Sequence, residues 1–212
     1  MKKATEPRQS TRRDQILDVA ARLFQKGYRA TSLDDVAAEI GITRPALYYY
    51  FNAKEDILAA IYERAVGALI DRAAPIFASK LAPDVLLCRL VQVHVRTMLK
   101  EQPIVRVFFQ EKDSLGVDAS RSVKAKEVAF TKMMAATVRA GQRQKLFRPG
   151  NPELVVNAIL GMLIWLYQWY RPERHVAQEI EDVFCGLLIK GLVVSGSVEI
   201  SPAVFERRQG SG

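Results

Sequence analysis

Residues 31–54, TSLDDVAAEIGITRPALYYYFNAK, hold two short helices with separate start and stop signals, and this punctuation constrains the fold more than any other stretch of the chain. Ser32 and Asp35 stand at the spacing of a capping box: the hydroxyl accepts from an early backbone N–H, and the carboxylate accepts from the N–H of the capping residue. Leu33, Val36, Ala37 and Ile40 recur at helical spacing and make one buried stripe. Gly41 is free to take the left-handed backbone that closes such a helix. Thr43 caps a second helix, with Pro45 in its first turn, where a missing N–H costs nothing. Leu47 and Phe51, four residues apart, are predicted to pack inward. Tyr48, Tyr49 and Tyr50 step by about 100° each around a helix about two turns long, so they cannot all share one buried face. Asn52 and Glu55 read as the capping signal of the next helix, which carries Ile57, Leu58, Ile61 and Tyr62.

Two short helices joined by a tight turn make a helix-turn-helix, in which the first helix braces the second and the second presents side chains to the major groove of duplex DNA. The exposed residue types suit that work. Arg44 has the paired donors that read guanine or hold a phosphate, and Thr43 does either more weakly. Tyrosine hydroxyls on rigid rings suit phosphate contacts, and Lys54 adds a positive point charge.

These motifs resemble those of the bacterial transcription regulators related to the tetracycline repressor. The resemblance is carried by RRDQILDVAARLFQKGY at residues 12–28, by Ala30 to Ala37, and by Ile42 to Phe51 followed by Lys54 and Glu55; it spans roughly residues 12–62. It implies base contacts near Thr43, Arg44 and Ala46, and phosphate contacts near Tyr48, Tyr49 and Lys54. Position 50 is often His in that family, and Tyr50 departs from the pattern. Ser32 stands where such proteins touch the DNA backbone, although capping alone also accounts for it.

A formal charge of +8 favours an anionic partner, yet residues 1–55 carry 10 basic against 7 acidic side chains. The positive charge concentrates ahead of the first helix, where Lys2, Lys3, Arg8, Arg12 and Arg13 face only Glu6. This segment reads either as an arm that follows phosphates or as an unstructured solubilising leader. Cys88 and Cys185 sit among apolar residues without metal-ligand spacing, as reduced core cysteines of a cytoplasmic protein do. No apolar leader follows the N-terminal charges, and Leu154 to Tyr170 is short for a membrane span, so a buried or intersubunit helix is expected there.

The rest of the chain reads as helical, with no alternating strand pattern and no repeat. The expected fold is all-α with about nine helices. Residues 1–55 form an arm and a three-helix DNA-binding domain, and residues 56–212 form a helical effector-binding and dimerisation domain. The fourth helix continues to Ile70. A fifth is predicted from Ala82 to Lys100, with Pro103 as a break and a short sixth from Ile104 to about Lys112. A seventh starts at a cap on Asp118 and ends before Pro149, an eighth runs from Asn151-Pro152-Glu153 to Pro172, and a ninth from Val176 to Val194.

The last two long helices carry the expectation of a homodimer. Ile180, Val183, Phe184, Leu187, Leu188, Gly191 and Leu192 read as an apolar stripe, and Ala158, Gly161, Met162 and Trp165 as a face that permits close approach. Two helices from each subunit would make a four-helix bundle, as in the resembled family, and two-fold symmetry would match a palindromic operator.

The resemblance also implies an effector site in the middle helices. Candidate lining residues are His94, Met98, Phe108, Phe109, Met133, Met134, Trp165 and Trp169; aromatic and Met residues at helical spacing equally read as plain core. His94 shares a face with Leu87, Leu90, Val91 and Met98 and reads as a hydrogen-bonded core histidine.

Between Arg121 and Arg148 stand eight basic residues and one acid, Glu127, with Arg121, Lys124, Lys132, Arg139 and Arg143 on one side. This is a solvated face or a partner for an anionic group such as coenzyme A phosphates. Gly161 to Pro172 is similar to the C-terminal domain of family members that sense acyl-CoA esters of fatty-acid, steroid or aromatic catabolism. A pocket for cationic drugs would present buried carboxylates, and the seventh and eighth helices offer few. The expected function is a transcription regulator, a repressor released by a small hydrophobic or acyl-CoA effector. The alternatives are a regulator of drug efflux and an architectural DNA binder without effector. An enzyme is disfavoured, because His94 and His175 are far apart and no nucleophile elbow, phosphate loop or metal-ligand cluster appears; neither a cofactor nor a metal is expected.

Overall fold

The computed structural model describes residues 12–193, so the arm residues Lys2, Lys3, Arg8 and Glu6 and the end of the expected last helix, Val194, lie outside the described residues. The chain runs α1 (Arg12–Gly27), α2 (Leu33–Ile40), α3 (Arg44–Tyr48), α4 (Lys54–Phe77), α5 (Pro83–Glu111), α6 (Val117–Arg143), α7 (Pro152–Ile164), α8 (Leu166–Trp169) and α9 (Ala177–Leu192). Among the described residues there is no strand; one isolated antiparallel bridge joins Phe147 to Val193. None of the helices is long and apolar enough to cross a membrane.

The first three helices form as their local signals direct. Asp35 N–H donates to Ser32 Oγ at 3.1 Å and Ser32 N–H to Asp35 Oδ2 at 2.8 Å, which completes the capping box of α2. Gly41 closes that helix at φ 73°, where a Cβ would be strained. Thr43 Oγ1 accepts from Ala46 N–H and caps α3. Val36, Ala37, Leu47 and Phe51 are buried together with Ile16, Leu17, Ala20 and Phe24 of α1. α3 is shorter than expected: it ends at Tyr48, so Tyr49 caps it and Tyr50 lies in the following turn.

The larger part is built around α5, which packs against α4, α6, α8 and α9, while α6 also packs on α4 and α7. The first helix sits on α4 and α5, where Arg29 pairs with Glu111 at 3.0 Å. Three local expectations are corrected here. α4 starts at Lys54 with Asp56 accepting from Ala53 N–H, so the cap falls one residue beyond Asn52; Glu55 instead accepts from Tyr28 Oη. α6 starts after Gly116, two residues ahead of the expected cap at Asp118. Pro103 does not break α5. A proline removes one N–H and crowds one carbonyl. Here Ile104, Val105 and Phe108 are buried in the core and hold the following turns in line.

The expected eighth helix is divided at Trp165 into α7 and α8. Side chains of α5 capture the carbonyls around α8: Arg106 donates to Tyr167 O at 2.9 Å, and Gln102 to Tyr167 O at 3.0 Å and Tyr170 O at 3.3 Å. Between α6 and α7 the backbone turns at Lys145 (φ 58°) and folds Phe147 back onto Gly141. A Cβ at Gly141 would collide with the Phe147 ring, and that ring is fully buried.

α9 buries a different face from the expected one. Ile180, Glu181, Cys185, Leu188 and Ile189 are inside, so Ile180 and Leu188 belong to the intrachain core and not to a free dimer face. Glu181 is 1 % exposed, and Arg96 grips its carboxylate through two bonds of 2.7 and 2.9 Å. Cys88 and Cys185 are buried free cysteines, with the Cys185 thiol 3.7 Å from the Cys88 carbonyl.

Candidate DNA interface and effector cavity

The cap on Thr43 and the inward pair Leu47 and Phe51 turn the remaining side chains of the third helix outward. Tyr49 is 83 % exposed, Tyr48 and Tyr50 are each 38 % exposed, and Ser32, Thr43, Arg44 and Ala46 are exposed as well. Arg44 lies over the Tyr48 ring, donates to Tyr48 Oη at 3.2 Å and pairs with Asp34 Oδ2 at 3.2 Å. These contacts are solvent-exposed and weak, so a guanine edge or phosphate competes readily for the guanidinium.

Lys54 differs from its companions. Its ammonium donates to Tyr28 O at 2.9 Å and Thr31 O at 3.0 Å and stands 4.3 Å from the Tyr28 ring centre. The sequence reading treats it as a free point charge; in the structure two of its three donors tie the start of α4 to the turn between α1 and α2. The Tyr28 hydroxyl donates to Glu55, and burial together with that carboxylate pushes its pKa well above the ordinary tyrosine range.

Below this reader, α4 to α7 line a cavity of about 600 Å³ that opens to solvent. Its wall is Tyr62, Ala65, Val66 and Leu69 from α4; His94, Thr97, Met98, Glu101, Val105 and Phe109 from α5; Lys124, Glu127, Val128, Phe130 and Thr131 from α6; and Glu153, Asn157, Leu160, Gly161 and Ile164 from α7. His94, Met98 and Phe109 therefore stand where the sequence reading put them. Phe108, Met133, Met134, Trp165 and Trp169 do not line it. Phe108 is buried behind Tyr62, with ring centres 3.7 Å apart. On α6 the side facing the cavity is that of Glu127, Phe130 and Thr131, which turns Met134 into the core and Met133 aside. Trp165, at 58 % exposed, and Trp169 point out to solvent from the division between α7 and α8. Gly161, expected on a dimer face, is exposed and also lines the cavity.

Sequence reasoning missed Tyr62, Thr97, Glu101, Glu127 and Asn157. The apolar stripe of α4, which runs past the reader through Ala65, Val66 and Leu69, was the available signal. Carboxylates are more frequent on this wall than expected, since Glu101, Glu127 and Glu153 all contribute. Tyr62 Oη donates to Glu127 at 3.2 Å, and Arg139 pairs with Glu153, whose carboxyl is held below its ordinary pKa first by its own backbone N–H and then by Arg139. His94 is also not the satisfied core histidine expected: it is buried, and neither ring nitrogen has a hydrogen-bond partner. Burial alone lowers its pKa from 6.5 to about 4, so the imidazole is neutral.

On the outer side, Leu154, Met162, Trp165 and Trp169 of α7 and α8 and Val183 and Leu187 of α9 are exposed, the last two at 58 % and 60 %; Gly191 is exposed and Phe184 half-buried.

A helix-turn-helix with outward Thr43, Arg44 and tyrosines, joined by one continuous helix to a body with an internal cavity, defines a DNA-binding transcription regulator of the kind that carries a separate ligand site. The family model described as bacterial regulatory proteins, tetR family, matches residues 16–61, and that described as the tetracyclin repressor-like C-terminal domain matches residues 82–192. The chain belongs to the TetR family of transcription regulators. It is 26 % identical over 187 residues to the HTH-type transcriptional repressor KstR2 of Rhodococcus jostii strain RHA1, covering 86 % of this chain and 92 % of that one. A TetR/AcrR-family regulator from Thermobifida fusca YX-ER1 superposes with a TM-score of 0.72 at 34 % identity, covering 89 % of this chain and 99 % of the other. AibR in complex with isovaleryl coenzyme A and operator DNA shares the fold, with a TM-score of 0.74, 24 % identity, and coverage of 85 % and 100 %.

Proposed function

We propose that this regulator is a homodimeric repressor that binds a palindromic operator and leaves it when an effector occupies the cavity between α4 and α7. The observation that carries the reading is α4 itself, whose first residue is tied to the DNA reader through Lys54 and whose middle lines the cavity through Tyr62, Val66 and Leu69. A ligand that displaces this wall tilts the reader, and the two recognition helices of a dimer lose the spacing of about 34–36 Å between successive major grooves. Effector and operator then weaken each other by the same factor.

In this reading Thr43, Arg44 and Ala46 meet base edges, while Tyr48, Tyr49, Tyr50 and Ser32 meet phosphates, and Lys54 fixes the reader to the start of α4. The dimer forms through Trp165, Met162, Leu187, Val183, Phe184 and Gly191. Exposed large apolar side chains on α7 and α9 and at the division between α7 and α8 support that assignment.

The effector has a largely apolar body. An acyl-CoA ester fits with its acyl group inside and its nucleotide outside, near Lys124 and the basic side of α6; AibR, of the same fold, was crystallised with such an ester. A second reading, a lipophilic cation of the kind that drug-efflux regulators sense, is favoured by Glu101, Glu127 and Glu153 on the wall. The test is fluorescence anisotropy on an operator selected from a random duplex library, titrated with short and long acyl-CoA esters and with lipophilic cations. Release by the esters alone supports the first reading, release by the cations alone the second. Uniform binding to unrelated duplexes, unaffected by either class, overturns the proposal in favour of an architectural protein.

A further inference from the structure

The polar groups around His94 have partners of their own. Tyr62 donates to Glu127, Thr97 accepts from Arg72 at 3.1 Å, and Thr131 donates to the Glu127 carbonyl at 2.9 Å. Among the described residues, the buried side-chain polar atoms left without a partner are the two ring nitrogens of His94. This imidazole is 6 % exposed, belongs to the cavity wall and has the Phe130 ring beside it, with centres 5.3 Å apart. A buried polar group without a partner is costly to keep, and an apolar residue of the same size would fill the site without that cost. Its presence on the wall, where the other buried polar side-chain atoms have partners, is explained when a guest completes the hydrogen bond.

We infer that His94 is the polar contact for a carbonyl oxygen at the buried end of the effector, with one imidazole N–H donating to a ketone or ester oxygen inside the cavity. This rests on the reading of the cavity as the effector site and adds the chemistry of the ligand's inner end. The neutral ring offers one donor and one acceptor nitrogen, which suits an uncharged oxygen. A free carboxylate at the same end would meet a neutral partner among Glu101, Glu127 and Glu153, with only Lys124 of opposite charge on the wall. The site therefore favours an ester or ketone over the corresponding acid.

The experiment uses the full chain labelled with nitrogen-15 at histidine, and the ring-nitrogen signals of its two histidines are assigned with the His175→Asn variant. The probes are cyclododecanone and cyclododecane, equal in shape and different by one oxygen. Contacts of each probe with the Met98 methyl and Phe109 ring report entry into the cavity. The expected result is that the ketone moves one His94 ring-nitrogen signal, and that it binds about tenfold or more tightly than the hydrocarbon. In His94→Phe the two probes are expected to bind alike. A ketone that reaches Met98 without moving the imidazole signal, or a ketone preference that survives in His94→Phe, overturns the role of His94 while the cavity remains an effector site. If neither probe enters, both readings fall. Should His94→Phe not fold, the wild-type imidazole signal decides by itself.

Discussion

Replacing Lys54 by methionine separates two roles for a residue that the sequence assigns to phosphate and the structure assigns to the hinge of the reader. Its ammonium donates two hydrogen bonds, to Tyr28 O and Thr31 O, and lies against the Tyr28 ring. A hydrogen bond from a charged donor contributes about 1.5–3 kcal/mol, and a cation over an aromatic face about 0.5–1 kcal/mol when partly exposed. Lys54 is half-buried, so water replaces part of what is lost, and the low end of the range applies. Two bonds at about 1.5 kcal/mol and one ring contact at about 0.5 kcal/mol give an expected loss of about 3.5 kcal/mol, which for a chain of this size lowers the melting temperature by about 7–14 °C. Helix melting followed by circular dichroism measures that loss. A phosphate contact makes a different forecast: unchanged melting, and a slope of binding against salt reduced by about one ion. The structural account expects the drop in melting temperature with the salt slope kept. A reduced slope without any change in melting refutes it.

Three further outcomes are expected. Because the folded His94 pKa of about 4 lies below its ordinary 6.5, the unfolded chain binds the extra proton first; stability from this residue is complete above about pH 6.5 and falls toward pH 4. The total is about 3 kcal/mol at 1.36 kcal/mol per pKa unit, and urea titrations of the wild type against His94→Phe isolate it from the charged groups on the same cavity wall, Glu101, Lys124, Glu127 and Glu153. Arg96→Met leaves the Glu181 carboxylate buried without its partner and is expected to cost about 3 kcal/mol, the low end for a broken buried pair since Arg96 is exposed; adding Glu181→Leu should restore most of it, and a double variant as unstable as the single one refutes the assignment. Leu187→Asp, at an exposed position of α9, is expected to yield a monomer with unchanged helix content in sedimentation and circular dichroism, while Leu188→Asp, at the next position and buried where α9 packs on α5, is expected to unfold the chain; equal behaviour of the two would remove α9 from the dimer face.

What the sequence determined by itself is local. The capping box of Ser32 and Asp35, the left-handed Gly41, the Thr43 cap and the inward pair Leu47 and Phe51 each depend on atoms within a few residues, so their spacing specifies their geometry. The helical class was legible for the same reason, because hydrophobic period and breakers act over one or two turns. The tertiary structure alone decided which faces meet. α9 is apolar over so much of its circumference that periodicity does not tell Ile180 and Leu188, buried on α5, from Leu187, exposed on the surface. Pro103 reads as a break until the buried residues after it hold α5 straight, and Glu181 reads as a surface acid until Arg96, 85 residues away, takes its carboxylate. The cavity wall likewise gathers residues from four helices, and it excludes Met133, Met134 and Trp165 because helix rotation, set by packing across the body, turned them elsewhere. Whether His94 has a partner depends on atoms that the chain brings near only in three dimensions; folding brought none of its own, and left the residue in the wall of the space where an effector binds in the proposed mechanism.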